Sequence, residues 1–300
     1  MKELLSEELF NAISSQFSFT KIEEIRLRAN CPVVICSGGT NYILKRDISS
    51  YYIASDNELN YCISRATQNS LYAVNDQIKQ MYISYKGGVR IGLTGEVVEN
   101  SNKINTIKYI NSINIRIPHQ VKDFASMAIG FIKNKNIIHS TLIVSPPGVG
   151  KTTLLRDLCR LIGSDQQVKN ILLVDERFEI ANCIKGRPIL DVGIFTDIIS
   201  GGNKQFAFNQ GIRSLKPNVI ITDELGSEED ITAVASAIEK GVSVIASIHA
   251  KSHLDLVNIP SIKTLLDGGK ITRIIVLSEQ TQNRYLGIYD NKFSCLYMPY

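Results

Sequence analysis

Apolar positions along the chain fall into two regimes that change near residue 118. In the first, apolar and polar residues alternate over short distances. Ile22–Arg28 alternates apolar with charged residues, as a half-buried strand does. Residues 32–36 read as a second strand, and the turn at 37–41 leads into a third at 42–44. Ser55 followed by Glu58 is a capping box, so the pattern predicts a helix over 56–68 with Leu59, Cys62, Ile63 and Ala66 on one face. A second helix is expected over 71–80. Gly87 and Gly88 turn into a strand at 89–93, and further strands are expected at 96–98 and 113–117. Beyond a connecting helix at 121–133 the pattern becomes wholly apolar runs separated by segments long enough for helices. The runs lie at 141–144, 171–174, 219–222, 242–247 and 271–277. That alternation predicts a doubly wound, mostly parallel sheet. The domains expected are an α+β N-terminal domain at 1–118, a linking helix at 119–136 and an α/β domain at 137–300.

Composition narrows this little. Hydrophobic content of 44% with 21% charged residues fits a globular chain with a sizeable core. A net charge of +4 gives no argument for nucleic acid as the partner. The six cysteines are scattered without a C-x-x-C pair, which at this length reads as reduced thiols in a cytosolic protein. Glu3, Glu7 and Glu8 are the wrong chemistry for a secretory leader, and no apolar run reaches the ~18 residues that span a bilayer. Any membrane role is therefore expected to be peripheral.

The chemistry concentrates after the run Thr141–Ser145. Ser145, Pro146, Pro147, Gly148, Val149, Gly150, Lys151, Thr152 and Thr153 follow the P-loop pattern, with Ser145 at the position of its first Gly. Glycines at 148 and 150 let the backbone curl into a nest of N–H donors. The helix start adds its dipole, Lys151 reaches the β- and γ-phosphates, and the Thr152 hydroxyl is a Mg²⁺ ligand. This spacing implies ATP and Mg²⁺ as cofactors, in a RecA-like P-loop NTPase domain. A second apolar strand ends in Thr222, Asp223 and Glu224. Asp223 is the expected metal ligand and Glu224 the residue that polarises the attacking water. Val174, Asp175 and Glu176 end another strand, so Glu176 competes with Glu224 for the role of base. His249, at the end of a third strand, is placed to report nucleotide state. Arg90, Arg116 and Arg213 are candidates for stabilising transition-state charge. Two other functions share these motifs: a helicase-like or RecA-like nucleic-acid motor, and a nucleotide-gated scaffold without turnover.

Taken together, Glu24–Arg28, Gly87–Leu93, the P-loop with Thr152–Asp157, Val174–Arg177, Asp191–Gly193 with Thr196 and Asp197, Ile212–Ser214 and Thr222–Gly226 resemble the stage III sporulation protein AA family. That family is related to the ATPases of type II and type IV secretion and pilus systems. The resemblance implies an ATP hydrolase that forms a ring, a hexamer, at the cytoplasmic side of the membrane in the mother cell of a spore-former. It implies integral membrane proteins of a channel or secretion-like complex as partners. It also implies that Asp175 and Glu176 form an acidic box and His249 a histidine box. Arg90 and Arg116 would then reach a neighbouring subunit's nucleotide.

Overall fold

The computed structural model describes residues 1–68, 74–100, 103–167, 170–280 and 283–298. They form two compact units, Met1–His119 and Gln120–Tyr300.

The first unit runs α1 (Glu7–Ser14), β1 (Ile22–Arg28), β2 (Cys31–Pro32), β3 (Val34–Ser37), β4 (Thr40–Ile43), β5 (Ile53–Ala54), α2 (Asp56–Thr67), α3 (Asn75–Lys79), β6 (Tyr82–Ser84), β7 (Arg90–Asn100) and β8 (Lys103–Arg116). Six strands pair in the order β4-β3-β1-β8-β7-β6. The period of two sorts their side chains. Ile25 opposite Ile115, and Leu27 opposite Ile113, are buried with Leu59, Cys62 and Ile63 of α2. The capping box forms: Ser55 accepts from the Glu58 backbone N–H at 3.2 Å, and Glu58 accepts from that of Ser55 at 3.1 Å.

Two expectations change here. The separate strands at 89–93 and 96–98 are one strand, β7, with a bulge between Thr94 and Glu96. At Gly95 the partner strand comes so close that a Cβ would lie 2.6 Å from the Lys108 carbonyl oxygen, so the glycine serves a close approach and does not end the strand. The helix expected over 71–80 is seen as α3 alone, and 71–73 lie outside the described residues.

In the second unit the helix expected over 121–133 shortens to α4 (Ser126–Ile132). Asp123 takes φ +64°, which a right-handed helix cannot contain, and the chain leaves α4 into β9 (Lys133–Asn134), paired with β10 (Ile137–Ile138). Then follow β11 (Thr141–Ser145), α5 (Lys151–Gly163), β12 (Ile171–Asp175), β13 (Thr196–Ser200), α6 (Lys204–Leu215), β14 (Val219–Glu224), α7 (Glu228–Glu239), β15 (Ser243–His249), α8 (Pro260–Asp267), β16 (Arg273–Gln280), β17 (Asn283–Asp290) and β18 (Cys295–Tyr297). The sheet order is β13-β12-β14-β15-β11-β16-β17-β18, parallel from β13 to β16 and antiparallel beyond.

The central strands are buried on both faces, which is why their sequences run apolar without alternation. Ile143, Leu173, Ile221 and Ile245 pack with α5 on one side. Leu142, Leu172, Ile220 and Val244 pack with α6, α7 and α8 on the other. The doubly wound α/β architecture is therefore as expected. The edge strand β13 and the hairpin β17–β18 were not.

Gly163 closes α5 against the loop before β13. A Cβ there would lie 2.3 Å from Thr196 Oγ1 and 2.7 Å from the Val192 carbonyl oxygen, which is backbone and cannot swing away. Gly163→Ala is expected to cost about 2–3 kcal/mol by overpacking, read as a lower urea midpoint. Gly130→Ala in α4, where a Cβ meets nothing within 4 Å, is the control and should be neutral or stabilising.

Candidate active site

The parallel strands end at one edge of the sheet, where ligands of open α/β folds gather. Here β11 turns into the P-loop. Ser145 is fully buried, and its hydroxyl donates to the Pro146 carbonyl at 2.7 Å. The side chain that departs from the glycine pattern is thus satisfied inside the loop. Gly148 and Gly150 take φ +82° and +113°, values that a Cβ would strain. Gly150 is the N-cap of α5, with no side-chain cap and no acidic residue in the first turn. The first-turn N–H groups and the positive dipole end are left for an anion. Val149 is buried below the loop, and Lys151, Thr152 and Thr153 are half-buried at the helix start.

Lys151 Nζ donates to the carbonyls of Ser145 (3.2 Å) and Pro146 (3.3 Å), and lies 2.6 Å from His249 Nδ1. Burial lowers its pKa, and Glu224 opposes that shift. His249 is brought there by register, because it pairs with Ser145 across β11 and β15. Its Nε2 lies 2.8 Å from Glu224 Oε2, which Arg177 also approaches at 3.4 Å. Lys151, His249 and Glu224 therefore form a continuous polar chain from the start of α5 across the ends of β15 and β14.

The other acidic strand end is arranged differently. Asp175 is fully buried, and its carboxylate accepts from the backbone N–H groups of Glu179, Ile180 and Ala181 at 2.9–3.2 Å. It shapes the turn after β12. Glu176 is bound by Lys204 Nζ, which also lies 3.0 Å from Asp223 Oδ1. Asp223 is 8% exposed, and its Oδ2 has no hydrogen-bond partner among the described residues. Burial raises its pKa, Lys204 opposes this, and Asp175 and Glu176 add to it. Thr222 fits its apolar strand by donating its buried hydroxyl to the Val174 carbonyl at 3.1 Å.

Among the candidates in this unit, Arg213 lies at the other end of its helix from Lys204. Arg213 is exposed in the last turn of α6, nine residues after Lys204 and so about 13 Å along the helix axis, away from the acidic strand ends. The helix carries the chain back to the start of β14. Arg90 and Arg116 belong to the first unit. There the Arg90 guanidinium stacks 3.9 Å from the Tyr82 ring centroid, and Arg116 Nε pairs with Glu24 Oε1 at 3.2 Å.

Two cations were missed. Arg177 reaches Glu224, and the buried Lys204 joins Glu176 to Asp223. Lys204 stands directly after Gly201, Gly202 and the N-cap Asn203, at the helix end whose dipole disfavours cations.

A glycine nest between a buried parallel strand and an uncapped helix, flanked by acidic strand ends, defines the P-loop NTPase class. The expected kinship also holds: the chain belongs to the family "Sporulation stage III, protein AA", whose model matches residues 1–296. It is 35% identical over 283 residues to stage III sporulation protein AA of Bacillus subtilis (strain 168), covering 92% of this chain and 89% of that protein. The ATPase DotB of Yersinia pseudotuberculosis matches with a TM-score of 0.65 at 15% identity, over 97% of this chain and 81% of that one. The pilus retraction motor PilT with bound ADP matches with a TM-score of 0.62 at 15% identity, over 94% and 81%. At that identity the two structures share the fold.

Proposed function

We propose that this chain is a Mg²⁺-dependent ATP hydrolase. It works as a hexameric ring at the cytoplasmic side of a membrane and energises a transport or channel complex in a spore-forming cell. The observation that carries this reading is the polar chain Lys151–His249–Glu224 beside the uncapped start of α5. The family's sporulation name and the relatives named as an ATPase and a pilus motor support it.

In this reading the backbone N–H groups from Gly148 to Thr153 cradle the phosphates, and Lys151 leaves the Ser145 and Pro146 carbonyls to pair with the β- and γ-phosphates. Thr152 and Asp223 would hold the cation, which suits Asp223 Oδ2, an oxygen without a hydrogen-bond partner among the described residues. Among the described residues no group of three His, Cys, Asp or Glu side chains could hold a metal, and nucleotide oxygens and water would complete the shell. Bound Mg²⁺ screens the phosphate charge. Glu224 accepts the proton of a water that attacks the γ-phosphorus, the bond from that phosphorus to the β–γ bridging oxygen breaks, and ADP leaves. His249 touches both Lys151 and Glu224, and so links phosphate occupancy to the base. Glu224 is preferred over Glu176 because His249 joins it to Lys151 of the P-loop, whereas Glu176 is held by the buried Lys204. Arg90, Arg116 and Arg213 act, if at the nucleotide, from a neighbouring subunit of the ring. Among the described residues no helix is long and apolar enough to cross a membrane, and in this reading the membrane part belongs to partner proteins.

Binding of a fluorescent ATP analogue, followed by light scattering of the same sample, tests the reading. Mg²⁺-dependent binding with the mass of six chains is expected. A single-chain mass at every nucleotide and protein concentration contradicts the ring.

A further inference from the structure

Lys204 is 4% exposed, yet it carries a charge at the first residue of α6, where the helix dipole opposes it. Its place is fixed from several sides. The turn that delivers it is pinned by the Gly201 N–H donating to the Asp175 carbonyl at 3.0 Å. Gly201 and Gly202 take φ +74° and +81°, and a Cβ on Gly201 would lie 3.0 Å from the Phe178 ring. Asn203 caps the helix through the Phe206 N–H at 3.2 Å. The ammonium then meets two carboxylates from different strands, Glu176 after β12 and Asp223 on β14. Burial pulls its pKa down, but Glu176 and Asp223 outweigh burial and hold it above the ordinary lysine value. Asp175 spends its charge on backbone N–H groups, so Lys204 is the cation within ion-pair distance of these two carboxylates among the described residues.

We infer that Lys204 is a positioning residue: its ammonium holds Glu176 and Asp223 together and keeps this acidic pair from taking up a free divalent cation, so that the cation arrives with the nucleotide phosphates. Two partly buried carboxylates with no counter-charge repel each other and attract a divalent ion. With one ammonium between them, most of that attraction is already met. A nucleotide changes the balance by bringing phosphate oxygens as additional ligands for the ion. The inference deepens the proposed function and rests on Asp223 being the cation's ligand.

The test is Mn²⁺ binding to the full chain without nucleotide, followed by electron paramagnetic resonance, for the wild type, Lys204→Arg and Lys204→Met. The wild type and Lys204→Arg should bind weakly and alike. Lys204→Met should bind about tenfold tighter or more, because one unit of opposing charge is gone at contact distance. A folded Lys204→Met that binds Mn²⁺ no tighter than the wild type overturns the inference. If Lys204→Met does not fold, Lys204→Met/Glu176→Gln carries the test. Loss of one carboxylate should restore the native circular dichroism spectrum and leave Mn²⁺ binding weak. A double variant that stays unfolded, or that binds Mn²⁺ tightly, overturns it. ATP hydrolysis by the wild type is read separately, so a protein that releases no phosphate defeats the ATPase reading without deciding the Mn²⁺ result.

Discussion

Lys151→Ala is expected to lower phosphate release from ATP by about a thousandfold or more, since it removes the P-loop's own side-chain cation, aimed at the charge that develops on the phosphates. The ammonium sits over the loop, within 3.3 Å of the Ser145 and Pro146 carbonyls. Its reach is therefore over the nest of N–H donors formed by the positive-φ glycines. Truncation leaves those donors and the dipole of α5 in place, so nucleotide binding should weaken less than turnover falls. The fold should survive. Lys151 is half-buried, its partners are two loop carbonyls and His249, and neither core of the second unit includes it. A thermal midpoint close to that of the wild type, beside a lost phosphate signal, is the outcome to look for. Turnover unchanged by the substitution would remove the P-loop from the mechanism.

The second large effect separates the two acidic strand ends. Glu224→Gln should lower kcat by about a hundredfold or more while ATP binding is kept, the signature of a lost general base. Glu176→Gln should fall much less. The difference comes from partners. Glu224 is joined through His249 to the lysine of the P-loop, whereas Glu176 is occupied by Lys204. Glutamine keeps the size of both side chains and the ability to accept from His249 or Lys204, so packing does not confound the comparison. The test is phosphate release at saturating ATP with nucleotide affinity measured in parallel. A larger loss in Glu176→Gln than in Glu224→Gln would transfer the role of base to Glu176.

What the sequence disclosed, and what it hid, follows from the range of the interactions. The P-loop was legible because all its determinants are local: a buried strand, two glycines, a lysine and an uncapped helix within a dozen residues. The central parallel strands were legible because burial on both faces writes an unbroken apolar run. The strand β13 was hidden because it lies at the sheet edge with half-exposed residues in the pattern Thr-Asp-Ile-Ile-Ser, which reads as a polar loop. The hairpin β17–β18 lacks the tight turn dipeptides that announce one. Lys204 was hidden for a different reason. Its partners Glu176 and Asp223 stand 28 and 19 positions away on separate strands, and only the sheet order β12-β14 brings them together. The placement of Arg213 likewise depends on the direction of α6, which no local pattern reveals. Asp175 and Glu176 look equivalent in sequence, but one turns into the protein to hold a backbone turn and the other meets a lysine.

The measurement that bears most directly on the account is phosphate release from ATP by the purified full chain, with Mg²⁺ and with the cation chelated. Release that requires Mg²⁺, and that ADP competes away, is the predicted result. No release under any Mg²⁺ concentration, from a folded protein that still binds ATP, would contradict it and leave a nucleotide-gated scaffold in its place.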